Sequence, residues 1–239
     1  MSAPATVVLL PGLLCDEAVW ADQLTGLGER PCVVPDYGTR SSITDMATHV
    51  LAAVPAERLC VAGHSMGGRV ALEMVRLAPE RIERLALLDT GVTPRPEGPD
   101  GLAEEQQRLA LLALARAEGM ATMARRWAVG MVHPERLNTP LFEDIVAMVA
   151  RKSTAVFAAQ IQALLGRPDA RPVLAQWRGP TLLLCGRQDS WSPLARHEQM
   201  QALAPQSRLV VIEDSGHMSP QEQPAAVTGA LRRWLEQTC

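Results

Sequence analysis

Lysine is almost missing from this 239-residue chain: Lys152 is the only one among 23 Lys and Arg. The arginines are scattered and the formal net charge is −3, so no basic block offers the footprint that nucleic acid or an anionic membrane needs. No apolar run approaches the ~20 residues that span a bilayer. The opening residues, Met1 to Thr6, lack the basic n-region of a secretory leader and run straight into an apolar stretch. Five cysteines (Cys15, Cys32, Cys60, Cys185 and Cys239) are odd in number, dispersed, and show no metal-ligand spacing. These absences predict a reducing cytoplasm and a small-molecule substrate, with no nucleic acid, membrane or metal partner. Oligomeric state is not readable from these features.

What is present suits a globular enzyme. Hydrophobic residues make up 47% and charged residues 21%, ordinary for one domain or one domain with an insertion. The most informative stretch is Gly63-His64-Ser65-Met66-Gly67-Gly68, which follows an apolar run over 59–62 and opens a helical pattern reaching residue 77. Gly-x-Ser-x-Gly alone arises by coincidence in roughly 8% of chains of this length, so its context carries the argument. A sharp strand-to-helix turn forces Ser65 out of the sheet with its hydroxyl exposed. The Met66 N–H then sits at a helix N-terminus, where partial positive charge suits an oxyanion. That is an acyl-transfer arrangement.

Further apolar runs predict strands over 7–10, 32–34, 85–88, 181–185 and 209–212, with helices over 16–27, 42–54, 193–203 and 224–235 between or after them. Near-continuous apolar strands alternating with helices indicate a mostly parallel sheet covered on both faces. The alternation breaks at Pro94. A Pro/Gly-rich linker over 94–101 leads into helical patterns over 102–119, 120–129, 140–152 and 153–165, an inserted helical cap. The α/β core thus occupies 1–93 and 173–239, and the cap 94–172. Met120, Met123, Met131 and Met148 fall in the cap, and flexible thioethers suit an adaptable apolar pocket.

A serine hydroxyl needs a base, and the base needs an orienting group. In a parallel sheet such groups gather beyond the carboxyl ends of the strands. His217 follows the last strand on a Gly-containing loop and is the favoured base. His49 and His197 sit on helices, His133 in the cap, and His64 on a turn that aims it away from Ser65. Asp189, after the fifth strand, is the favoured acid. Asp89 is the alternative, and Asp214 lies too near His217 in the chain to reach behind its ring.

With Gly-His-Ser-Met-Gly-Gly, Gly-Arg-Gln-Asp and Gly-His-Met-Ser-Pro-Gln-Glu-Gln-Pro in place, the chain resembles the α/β-hydrolase superfamily over almost its whole length. The order Ser…Asp…His is the one that fold uses. The resemblance implies a compact six-stranded core lacking the family's two most N-terminal strands. It implies a Ser65–His217–Asp189 triad, an oxyanion hole from the Met66 and Leu13 N–H groups, and no cofactor. Pro11 departs from the histidine that many members carry before the Gly of that loop. The expected reaction is hydrolysis of small or medium carboxylic esters, as in compact cap-bearing carboxylesterases. The alternative is C–C hydrolysis or elimination, or enol-lactone cleavage, on the same residues. Gly67-Gly68-Arg69 weakly resembles the C–C enzymes, although Arg69 reads more simply as a helix-surface residue.

Overall fold

A computed structural model describes residues 5–237. Met1 to Pro4, on which much of the leader reading rests, and Cys239 lie outside them. Each predicted apolar run forms a strand: β1 (Thr6–Leu10), β2 (Cys32–Val33), β3 (Leu59–His64), β4 (Ile82–Leu88), β5 (Thr181–Gly186) and β6 (Arg208–Ile212). They make one six-stranded sheet in the order β2-β1-β3-β4-β5-β6, and every pairing is parallel. All residues of β3 and β5 are buried, which explains why those strands read as continuous apolar runs rather than alternating ones. The edges are β2, with two residues, and β6, whose Arg208 faces solvent. A short edge and a charged edge both discourage pairing with another chain.

The helices are α1 (Ala21–Gly26), α2 (Ile43–Ala53), α3 (Met66–Leu77), α4 (Gly98–Glu118), α5 (Met120–Ala128), α6 (Pro140–Ala150), α7 (Thr154–Leu165), α8 (Arg171–Gln176), α9 (Leu194–Leu203), α10 (Ser219–Glu222) and α11 (Pro224–Glu236). One face of the sheet carries α2, α3, α8 and α9; α1, α10 and α11 pack together on the other. Between β4 and β5 the chain makes α4 to α7, with α4 against both α5 and α7, and α5 against α6.

Several boundaries differ from the sequence reading. The helix expected over 16–27 divides into a 3₁₀ turn (Glu17–Trp20) and α1, because the Asp16 carboxylate caps the turn at Ala18 rather than an α-helix. The linker after Pro94 is shorter than expected, since α4 already begins at Gly98. Pro193 holds the N-cap position of α9, and the Ser192 N–H before it donates to Asp189. Ser42 is the cap of α2, accepting from the Asp45 N–H. The short helices α8 and α10 have too few residues to show a period in sequence. Among the described residues, no helix is long and apolar enough to cross a membrane.

The strand order reverses between β1 and β3, so the loops leaving these adjacent strands diverge and open a crevice at the carboxyl edge. Leu10 pairs with Gly63 and His64 with Leu88, which brings the ends of β1, β3 and β4 level. Leu88 pairs with Leu184, and Gly186 with Ile212. Ser65, Asp89, Asp189 and His217 therefore leave four adjacent strands at one edge.

Candidate active site

Ser65 occupies the left-handed region, at φ 54° and ψ −115°, between β3 and α3. A non-glycine residue held there costs on the order of 1–3 kcal/mol, and the surroundings must over-determine it. They do: its N–H donates to the Leu88 carbonyl at 2.9 Å, and its carbonyl accepts from the Thr90 hydroxyl at 2.6 Å and the Gly68 N–H at 3.0 Å. The turn also needs Gly67, where a Cβ would lie 2.2 Å from the Leu10 carbonyl oxygen.

The Ser65 hydroxyl lies 2.9 Å from His217 Nε2, and His217 Nδ1 lies 2.8 Å from an Asp189 carboxylate oxygen. The second Asp189 oxygen accepts from the Trp191 and Ser192 N–H groups at 2.8 and 2.9 Å. Burial alone would raise the Asp189 carboxyl, but the charge and hydrogen bond of His217 outweigh it and hold it below the ordinary range. Burial alone would lower His217, and Asp189 more than reverses that. An ionised Asp189 can only accept, so Nδ1–H donates to it, and neutral His217 presents its Nε2 lone pair to the Ser65 hydroxyl. The residues predicted as nucleophile, base and acid thus form one hydrogen-bonded row.

The other candidates are placed elsewhere. Asp89 is fully buried and makes no hydrogen bond to His217; it accepts from the Gly186 N–H at 2.9 Å and the Ser219 hydroxyl at 2.5 Å. Burial, then the Asp189 charge, pushes its carboxyl well above the ordinary range. Asp214 is exposed. His197 is buried beneath Thr90, and His133 accepts from the Glu135 N–H. His64 is not turned away from the site. Its Nε2–H donates to the His217 carbonyl at 2.7 Å, and its ring centroid is 5.2 Å from that of His217. Burial, then the His217 charge, lowers His64 to about 3, so it is neutral and its 3.8 Å approach to Asp89 is not an ion pair.

Neither the Leu13 nor the Met66 N–H donates to another group among the described residues, and both residues line the cavity beside Ser65. The loop carrying Leu13 is shaped without the histidine that Pro11 replaces. Leu14 adopts φ 59°, its N–H donates to Gln160 of α7 at 2.7 Å, and the Tyr37 hydroxyl donates to the Pro11 carbonyl at 3.3 Å.

The His217 loop is tied down just as tightly. The His217 N–H donates to the Met131 carbonyl at 2.7 Å. Glu222, buried on α10, accepts from the N–H groups of His133, Gly216 and Met218 at 2.7, 2.9 and 3.1 Å. Sequence reasoning missed Glu222 and Gln160, because each serves backbone donors that no motif marks.

The cavity measures about 530 Å³. Trp191 stands 5.0 Å from the His217 ring and stacks on Trp127 at 5.3 Å, and neither tryptophan was singled out in sequence. Of the cap methionines only Met131 lines the cavity; Met123 and Met148 are buried in packing. Arg69 is not a plain surface residue: with Arg108, Arg167 and Arg196 it lines the cavity.

The Alpha/beta hydrolase family profile matches residues 7–230. A putative carbamate hydrolase, RutD, of Pseudomonas syringae pv. syringae is 28% identical over 96% of this chain and 93% of its own. The pimeloyl-[acyl-carrier protein] methyl ester esterase of Nitrosomonas europaea is 28% identical over 88% of both chains. Among solved structures, a thermophilic esterase from Thermogutta terrifontis, with malate bound, superimposes with a TM-score of 0.88 at 29% identity, covering 98% of this chain and 90% of that one. With the six-stranded parallel sheet and the buried Asp–His pair beside an elbow serine, these matches have one reading: the chain belongs to the alpha/beta hydrolase family.

Proposed function

We propose that this protein hydrolyses small or medium carboxylic esters through an acyl-enzyme on Ser65. The observation that carries this reading is the continuous row from Ser65 Oγ to His217 Nε2 at 2.9 Å and from His217 Nδ1 to Asp189 at 2.8 Å. Esterases among the relatives support the acyl chemistry. In this reading Ser65 Oγ attacks the carbonyl carbon while His217 takes its proton, and Asp189 stabilises the imidazolium. The oxyanion accepts from the Met66 and Leu13 N–H groups, each worth about 3–4 kcal/mol in such sites. Collapse expels the alkoxide, which takes the proton from His217. Water, deprotonated by His217, then attacks the acyl-enzyme, and the acid is released. The helices α4 to α7 act as the cap over this chemistry and select the substrate.

The test is a p-nitrophenyl ester series of increasing acyl length, read beside fluorophosphonate labelling. Turnover in wild type, with Ser65→Ala abolishing labelling and lowering kcat by roughly 10⁶, is the expected result. Turnover that survives Ser65→Ala overturns the assignment. Labelled Ser65 with no turnover at any length would assign the same nucleophile to C–C or enol-lactone chemistry.

A further inference from the structure

The charged side chains of the cavity are unequal in sign. Arg69 on α3, Arg108 on α4, Arg167 just after α7 and Arg196 on α9 line it, against one carboxylate of comparable reach, Glu104. Glu104 is fully engaged: Arg167 holds it through two bonds of 2.6 and 2.8 Å, and Arg108 approaches to 2.9 Å. Burial would raise the Glu104 carboxyl, but the bonds from Arg167 and the charge of Arg108 hold it at about 2. It makes no hydrogen bond to Arg69 or Arg196.

Arg69 and Arg196 hydrogen-bond only to neutral groups among the described residues, although the charge of Glu104 acts on both and that of Asp189 on Arg196. Arg69 donates one bond, to the Thr93 carbonyl at 2.8 Å. Arg196 donates to the Trp191 carbonyl at 2.9 Å and the Ser192 hydroxyl at 3.4 Å. A guanidinium has five N–H donors, so most of both forks remain unused. Arg69 is also crowded with like charge: burial, then the charges of Arg167, Arg196 and Arg108, lowers it to about 9, still protonated at neutral pH. Burial lowers Arg196 as well, partly offset by the charge of Asp189. Partly desolvated cations that line one cavity repel each other, and a bound anion relieves that repulsion. Placement matters as well. Arg69 follows Ser65 by four residues on the helix the nucleophile opens, about 6 Å along the axis, so an anion there lies a few carbon–carbon bonds from the attacked carbonyl.

We propose that Arg69 and Arg196 form a carboxylate subsite, and that the substrate class is half-esters of short dicarboxylic acids. The planar fork of each guanidinium matches a carboxylate in two-bond geometry. Trp127, Met131 and Leu164 supply the apolar wall for the intervening methylenes. The inference deepens the ester-hydrolase reading and rests on it.

The experiment compares kcat/KM for monomethyl adipate with that for methyl hexanoate, which matches it in length and lacks the charge. Wild type is expected to prefer the monoanion at least about tenfold, from one charge-assisted contact or more. Arg69→Gln and Arg196→Gln each lower that ratio about tenfold, chiefly through KM, while Arg69→Lys keeps part of it. Added salt weakens the monoanion more than the neutral ester in wild type, and this difference shrinks in the glutamine variants. A ratio that neither substitution lowers overturns the subsite. If the protein hydrolyses no ester, the ester reading fails separately, and calorimetric titration with adipate decides the subsite. Binding that the double glutamine variant loses sustains it; no binding, or binding that both substitutions spare, overturns it.

Discussion

Asp89 and Asp189 leave neighbouring strands, both are buried, and only one reaches the imidazole. Two N–H donors from the loop fix one oxygen of Asp189 and aim the other at His217, whereas Asp89 is consumed by the Gly186 N–H and the Ser219 hydroxyl. Replacing Asp189 with Asn leaves the shape but allows the wrong imidazole tautomer, and kcat is expected to fall roughly 10⁴-fold. The pH profile follows from the same pair. His217 accepts the Ser65 proton only when neutral, and Asp189 raises its pKa above the ordinary value. Activity is therefore lost as pH falls, with the midpoint of the kcat/KM limb above ~6.5. In Asp189→Asn that charge is gone and the residual limb moves to lower pH; a limb that stays in place would contradict the assignment.

The β3–turn–α3 element was legible almost to the residue, because strain, close approach and an exposed hydroxyl all demand particular residue types there. Gly67→Ala is expected to destabilise despite the better helix propensity of alanine. Its Cβ meets backbone oxygen of β1, which cannot swing away as a side chain would, so the cost should reach about 1–3 kcal/mol in thermal or denaturant unfolding. The α10 element was not legible. Glu222 on this four-residue helix accepts from two buried N–H groups and one part-buried one around His217, and its residue type says only that it is acidic. Glu222→Ala should cost about 2–4 kcal/mol of stability by stranding those donors. As a positioning residue it should also lower kcat more than it raises KM.

Across the whole molecule, the helices between β4 and β5 do more than line the cavity. Met131, in the connection after α5, receives the His217 N–H, and Gln160 of α7 receives the Leu14 N–H next to Leu13. Both contacts span large distances in sequence and join the segment between β4 and β5 to the loops that carry His217 and Leu13. Gln160→Ala leaves the buried Leu14 donor without an acceptor. It should destabilise by about 1–3 kcal/mol and lower kcat on esters of every acyl length, whereas a residue that selects substrate would discriminate between lengths. A loss confined to long esters would place Gln160 in recognition instead.

The sequence by itself determined the parallel sheet, the elbow at Ser65, and the candidates Asp189 and His217 beyond their strands. Continuous apolar runs force burial on both faces, and only a few residue types tolerate or exploit a sharp turn. Tertiary structure alone decided the donors that aim Asp189, already favoured over Asp89 in sequence, at the imidazole, the return of His64 beneath His217, and the service of Glu222 and Gln160. It also turned scattered arginines into a lining: Arg69, Arg108, Arg167 and Arg196 come from four separate stretches of chain and meet only when α3, α4, the end of α7 and α9 enclose one cavity. A charge cluster of that kind has no period and no motif. It exists only as distances between side chains, and those are set by packing rather than by order along the chain.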